Sequence, residues 1–124
     1  MSFNAFFADY VSGYVRQSPQ DIAGFFHFPV VVCDQRVASI IRDTGDLGVY
    51  LAPFLERLAA DGCSAAETEI KECRLFGDGQ AICLVAYRLY DTAGTLFLDF
   101  DYLYHLMDLD GDWRIAFASL TTVR

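Results

Sequence analysis

Phe97-Leu98-Asp99-Phe100-Asp101-Tyr102-Leu103-Tyr104-His105-Leu106-Met107 is the stretch that decides the fold. Its character alternates with a period of two, as in a strand whose side chains point in turn to opposite faces. Leu98, Phe100, Tyr102, Tyr104 and Leu106 make one face wholly apolar or aromatic. Phe97, Asp99, Asp101, Leu103, His105 and Met107 make the other, with two carboxylates and an imidazole among apolar neighbours. Downstream, Asp110-Gly111-Asp112 supplies hairpin-turn residues, and Trp113-Arg114-Ile115 opens another strand. Upstream, Phe76-Gly77-Asp78-Gly79 and Asp91-Thr92-Ala93-Gly94 separate two more. The second half therefore reads as four long antiparallel strands over 67–76, 81–91, 95–108 and 113–122.

The first half changes period. Phe3, Phe7, Tyr10 and Tyr14 fall at i, i+4, i+7 and i+11, which predicts a helix over 3–17. Ser18-Pro19-Gln20-Asp21 restarts the chain with a capping side chain, a proline suited to the first helical position and an acid for the helix N-terminus. A short helix over 19–27 is expected to end before Pro29. Pro29-Val30-Val31-Val32-Cys33 is β-branched and reads as a strand, with 36–42 paired to it through Asp34-Gln35. Leu47, Tyr50, Leu51, Phe54, Leu55 and Leu58 keep helical spacing up to Asp61-Gly62, and Pro53 predicts a kink or a late start. Helices come first, a meander of strands follows, and no βαβ alternation occurs. The fold class is α+β, in one domain over 1–124.

Composition narrows the function classes. Of 124 residues, 54% are hydrophobic and 15% aromatic, too many to stay solvated as a disordered chain. Seventeen Asp and Glu against nine Lys and Arg give a net charge of -8, which disfavours nucleic acid and anionic membrane surfaces as partners. No apolar run reaches the roughly 18–20 residues of a membrane helix. Cys33, Cys63, Cys73 and Cys83 form no C-x-x-C pair and lie far in sequence from His27 and His105, so no metal site is expected. Met1-Ser2-Phe3-Asn4 carries no basic n-region, and free thiols in a reducing cytoplasm are the expectation. Asp108 does not open a calcium loop, because Trp113 and Ser119 stand where Gly and Glu would be needed. No nucleotide-binding or serine-hydrolase motif occurs.

The order of these elements, with Asp101-Tyr102-Leu103-Tyr104-His105-Leu106 followed by Gly111-Asp112-Trp113-Arg114-Ile115, resembles the nuclear transport factor 2-like superfamily. Within it, the chain is similar to the SnoaL-like and ketosteroid-isomerase-like branch. The resemblance covers nearly the whole chain. It implies a cystatin-like cone, in which N-terminal helices pack in the concave side of a strongly bent, mainly antiparallel sheet. It also implies a pocket at the open end and a homodimer through the sheet. The superfamily hosts enzymes, transport factors and assembly domains, so function must come from the site.

By that resemblance, Tyr14, Asp34 and Asp101 stand where the isomerase pattern has its Tyr donor, its Asp base and its second, protonated Asp donor. No cofactor is implied. Phe26, Tyr50, Phe54, Asp99, Leu103 and His105 are expected to line the pocket. Alternatives stand beside each role. Tyr14 belongs to an aromatic stripe of the kind that packs a core. Asp34 falls in a hairpin turn, where Asp is common. His105, four residues from Asp101 on one strand face, could pair with it or sit as a rim histidine. Which face of 95–108 is concave is open: if it is the aromatic face, Asp101 points outward. The expected function is that of a pocket protein, with cofactor-free acid–base chemistry (isomerisation, cyclisation or dehydration) on a small apolar carbonyl compound as the enzymatic reading. The alternatives are non-enzymatic binding of a small hydrophobic ligand, or dimerisation.

Overall fold

A computed structural model describes residues 2–124. Its elements run α1 (Phe3–Val15), α2 (Pro19–Ala23), β1 (Phe26–Asp34), β2 (Val37–Ile41), α3 (Thr44–Ala60), β3 (Cys63–Phe76), β4 (Gln80–Asp91), β5 (Leu96–Leu109) and β6 (Asp112–Val123). The strands form one six-stranded sheet in the order β2-β1-β6-β5-β4-β3. Every neighbouring pair is antiparallel except β1 and β6, which run parallel. The α+β class and the four long strands stand as expected.

The helix starts follow local chemistry. Ser2, Ser18 and Asp43 cap α1, α2 and α3, each accepting a bond from the backbone N–H three residues on. Gly13 lets α1 approach α2 closely, because a Cβ there would lie 3.0 Å from the Cγ1 of the fully buried Ile22. The turn leaves α1 through Gln17 at φ 59°, and its side-chain amide donates to the Leu55 carbonyl of α3 at 2.9 Å.

Two expectations need correction. The second helix stops at Ala23, not near residue 27, because the chain is already extended at Phe26, which pairs with Ile115. Pro29 lies within β1, inside the register irregularity between Phe26 and Val31, where a missing N–H disrupts no regular ladder. Pro53 does not interrupt α3, which runs unbroken from Thr44 to Ala60. The bond it forgoes is to the Val49 carbonyl, and both residues lie on the exposed side, where water can satisfy that oxygen.

Bulges shape the sheet. The register skips Ser64 and Lys71 in β3, Phe97 in β5, and Ala116 and Thr121 in β6. Each extra residue bends its strand and strengthens the local twist. The curved sheet wraps the helices, and Phe7, Ile22, Leu47, Leu58, Leu106 and Ile115 form the centre of the core. Phe3 closes one end, its ring edge-on to Trp113 at 5.2 Å. No helix among the described residues is long and apolar enough to cross a membrane.

Candidate functional site

The helices do not fill the concavity. A cavity of about 380 Å³ remains between α1, the end of β1, α3 and the concave faces of β4, β5 and β6. That is the lower part of the range of roughly 300–1,000 Å³ typical of small-molecule pockets. The strand face turned inward on β5 is the aromatic one: Leu98, Phe100, Tyr102 and Tyr104 line the cavity. Tyr10 and Tyr14 come from α1, Tyr50 and Phe54 from α3, and Tyr87 from β4. Six of the seven tyrosines thus face one space.

The phenols are organised in pairs. Tyr10 and Tyr14, one helical turn apart, share a hydrogen bond at 2.7 Å. Tyr87 and Tyr104, on neighbouring strands, share another at 2.8 Å. Each bond uses one hydroxyl hydrogen and leaves the second available to a guest. Burial is the main cause that pushes all four phenols upward, and for Tyr14 the bond to Tyr10 offsets part of it. Burial also raises Tyr50 and Tyr102, with the negative charge of Asp34 adding to both. All six remain neutral near pH 7, acting as donors and acceptors that bring no charge into the cavity.

Charge is confined to the rim. Asp34 closes β1 where the hairpin turns through Gln35 at φ 56°, and both line the cavity mouth while exposed to solvent. Asp34 therefore sits in the turn and at the cavity together. Arg57, one turn from the end of α3, also lines the mouth, and its Nε lies 3.6 Å from Asp61. Among the described residues, the only ionisable lining groups besides tyrosine are one rim carboxylate and one rim guanidinium.

The structure thus brings Tyr14, Phe26, Asp34, Tyr50 and Phe54 to one cavity, and it does not bring Asp101, Asp99, Leu103 or His105 there. Those four lie on the convex face of β5, opposite the aromatic residues. The expected neutral-donor role of Asp101 is corrected by its contacts. Arg124 grips it with both terminal nitrogens, at 2.9 and 2.7 Å, and the Lys71 Nζ donates at 3.1 Å. The Arg124 bonds, against the opposing effect of burial, hold its carboxyl below the usual carboxylate range, and Lys71 adds to this. An ionised, saturated carboxylate has no proton to donate to a substrate. Asp99 takes a bond from Arg124 at 3.0 Å. His105 faces Gln80 at 2.7 Å rather than Asp101. Leu103 is half-buried on the same outer face.

Tyr10, Tyr87, Tyr102, Tyr104 and Arg57 were not among the sequence-derived site residues. The available signal is the unbroken aromatic face of β5, whose direction the sequence leaves open. Among the described residues, no three His, Cys, Asp or Glu side chains converge as a metal site would need.

The NTF2-like protein family DUF6841 matches residues 2–122. The chain belongs to that family. No curated protein matches the sequence. Among solved structures, this NTF2-like chain is similar to a domain of unknown function with a cystatin-like fold from Nostoc punctiforme PCC 73102. The two share 19% identity with a TM-score of 0.72, over 96% of this chain and 74% of that one. An NTF2-like protein of unknown function from Shewanella oneidensis MR-1 aligns at a TM-score of 0.73 and 11% identity, over 95% and 94% of the two chains. A ketosteroid isomerase-like protein from Erwinia carotovora atroseptica SCRI1043 aligns at 0.65 and 17%, over 95% and 92%. At these identities the likeness shows the fold alone.

Proposed function

We propose that this NTF2-like chain binds a small, mostly apolar molecule carrying a carbonyl or hydroxyl oxygen. The carrying observation is the cavity itself, apolar in its walls and furnished with neutral phenol hydroxyls. Such a lining favours a ring or short chain by burial and fixes its orientation through a few oxygen contacts. A neutral aromatic ketone whose emission responds to polarity, 6-propionyl-2-dimethylaminonaphthalene, is a suitable probe. Its emission is expected to shift to the blue and saturate at one site per chain. Tyr102→Phe, which removes one donor, is expected to weaken binding by about 0.5–1.5 kcal/mol, roughly two- to tenfold. Ala118→Leu, which narrows the cavity, is expected to weaken it further. Absence of saturable binding would overturn the reading.

A second reading adds catalysis, and the shared cavity of Asp34 and Tyr14 favours it. An exposed rim carboxylate can take a proton from a carbon next to a carbonyl while a phenol donates to the developing enolate oxygen. Cofactor-free exchange of the α-hydrogens of cyclohexanone in deuterated water, followed by NMR, tests it. Exchange stimulated by the protein and lost in Asp34→Asn supports a base at that position. Exchange equal in both proteins counts against it, and no stimulation leaves binding as the activity.

Two properties accompany this reading. Half-buried Leu103 and Met107 on the outer face of β5 support a homodimer through the sheet, and a monomer mass by light scattering would contradict it. Four unpaired cysteines support a reducing compartment such as the cytoplasm.

A further inference from the structure

The four cysteines do not have equivalent surroundings. Cys33 stands opposite Ala38 on β2 and Ser119 on β6, and Cys63 opposite Asp91. Cys73 and Cys83 stand opposite each other in the antiparallel ladder of β3 and β4. Directly opposed residues in such a ladder have Cα atoms about 4.5 or 5.5 Å apart. Both values lie inside the roughly 4.4–6.8 Å span of a disulfide, and the two side chains share a face of the sheet.

The pair is also asymmetric. Cys73 is exposed on β3, the edge strand, whereas Cys83 is fully buried. The Cys83 thiol is pushed upward by its burial and then by the Cys73 thiol beside it. One sulfur is accessible to a reagent in solution, and the second waits behind it, in reach of the first.

We propose that Cys73 and Cys83 form a reversible thiol–disulfide pair that reacts with a small disulfide such as oxidised glutathione. The Cys73 thiolate attacks one sulfur of the reagent, its S–S bond breaks, and one glutathione leaves as a thiolate that takes up the proton Cys73 gave up. Cys83 then loses its proton to solvent and attacks the Cys73 sulfur. The mixed disulfide breaks, and the second glutathione leaves and is protonated. Two protein thiols are oxidised to one disulfide, and one glutathione disulfide is reduced to two thiols. Formation in a reducing compartment is transient, as for redox-responsive rather than structural disulfides. The buried thiol makes the second step slow at neutral pH, with a rate rising roughly tenfold per pH unit while the thiolate is the minor form.

The experiment treats the native protein with oxidised glutathione, quenches it with iodoacetamide in denaturant so that buried thiols are reached, and compares intact masses and tryptic peptides. Cleavage after Lys71, Arg74 and Arg88 separates the two cysteines into peptides 72–74 and 75–88, so a bridge between them is read directly. The expected result is loss of two of the four alkylatable thiols and a single link joining those peptides. Cys73→Ser, at an exposed position, is expected to abolish the link, and Cys83→Ser to stop the reaction at a glutathione adduct on Cys73. Cys33→Ser and Cys63→Ser are expected to react as wild type. Four thiols left reduced, a link to another cysteine, or a glutathione adduct on wild-type Cys73 that is not resolved faster as pH is raised would each overturn the proposal.

Discussion

Asp101→Asn removes a charge and almost no volume, so it isolates the outer ion cluster. In the wild type, the Asp101 side chain is 5% exposed and each of its cations, Lys71 and Arg124, is 37% exposed. Breaking a fully buried pair costs roughly 3–5 kcal/mol. Here the stranded cations can turn to water, and the Asn oxygen still accepts one bond, so the expected loss is about 2 kcal/mol. At about 2.1 cal/mol/K per residue, a chain of 124 residues has an unfolding entropy near 260 cal/mol/K, and the expected fall in Tm is about 8 °C. Thermal unfolding followed by circular dichroism at pH 7 measures it. The pH dependence supplies a second check. The folded-state carboxyl is held down by Arg124 and Lys71, so its contribution is complete above the unfolded value of about 3.9 and disappears as pH falls through the lower folded value. The gap between the two proteins is therefore constant from pH 7 to about 5 and closes on further acidification. A variant within about 2 °C of wild type at pH 7, or a gap that widens in acid, would refute the reasoning. Ligand affinity in the cavity is expected to be unchanged, since Asp101 lies outside it.

Further outcomes follow from the interior. Tyr87→Phe leaves the buried Tyr104 hydroxyl without its 2.8 Å partner and is expected to cost about 1–2 kcal/mol, while Phe at both positions costs less than the two single changes summed, in urea denaturation. The cavity phenols are raised in the folded state, so they contribute stability below about pH 10 that is lost as pH rises through their folded values. Phenolate absorbance at 295 nm is expected to appear later on alkaline titration of the native protein than of the urea-unfolded chain, and coincident curves would contradict the burial. Gly13→Ala is expected to destabilise by about 1 kcal/mol, because crowding against the rigidly packed Ile22 exceeds the gain in helix propensity; an equal or higher Tm would show that α2 yields.

The long strands were legible because each needs only its own period-two pattern. Which face of β5 turned inward was not, because the bend comes from bulges at Ser64, Lys71, Phe97, Ala116 and Thr121, and a bulge is a relation between two strands rather than a pattern in either. The carboxylates at 99 and 101 looked like pocket groups among apolar neighbours. Their partners are Lys71, re-aimed by its bulge, and Arg124, beyond the last periodic residue, and neither is visible from the strand that carries them. Tyr14, Tyr50 and Phe54 were legible because helical spacing places them on the inner stripes. Asp34 was legible as a turn residue, and its place at the mouth depends on the parallel contact of β1 with β6, a pairing of residues far apart in sequence. Pro53 misled because its cost depends on whether the freed carbonyl reaches water, which exposure alone decides.

The central claim is that the aromatic face of the sheet, not the acidic one, lines the binding site. Amide chemical-shift mapping of the ¹⁵N-labelled protein during titration with 6-propionyl-2-dimethylaminonaphthalene tests it most directly. The expected result is saturable shifts concentrated at Tyr14, Asp34, Tyr50, Tyr87 and Tyr102. Shifts concentrated instead around Glu67, Gln80 and Met107, on the outer face and clear of the cavity wall, would contradict it.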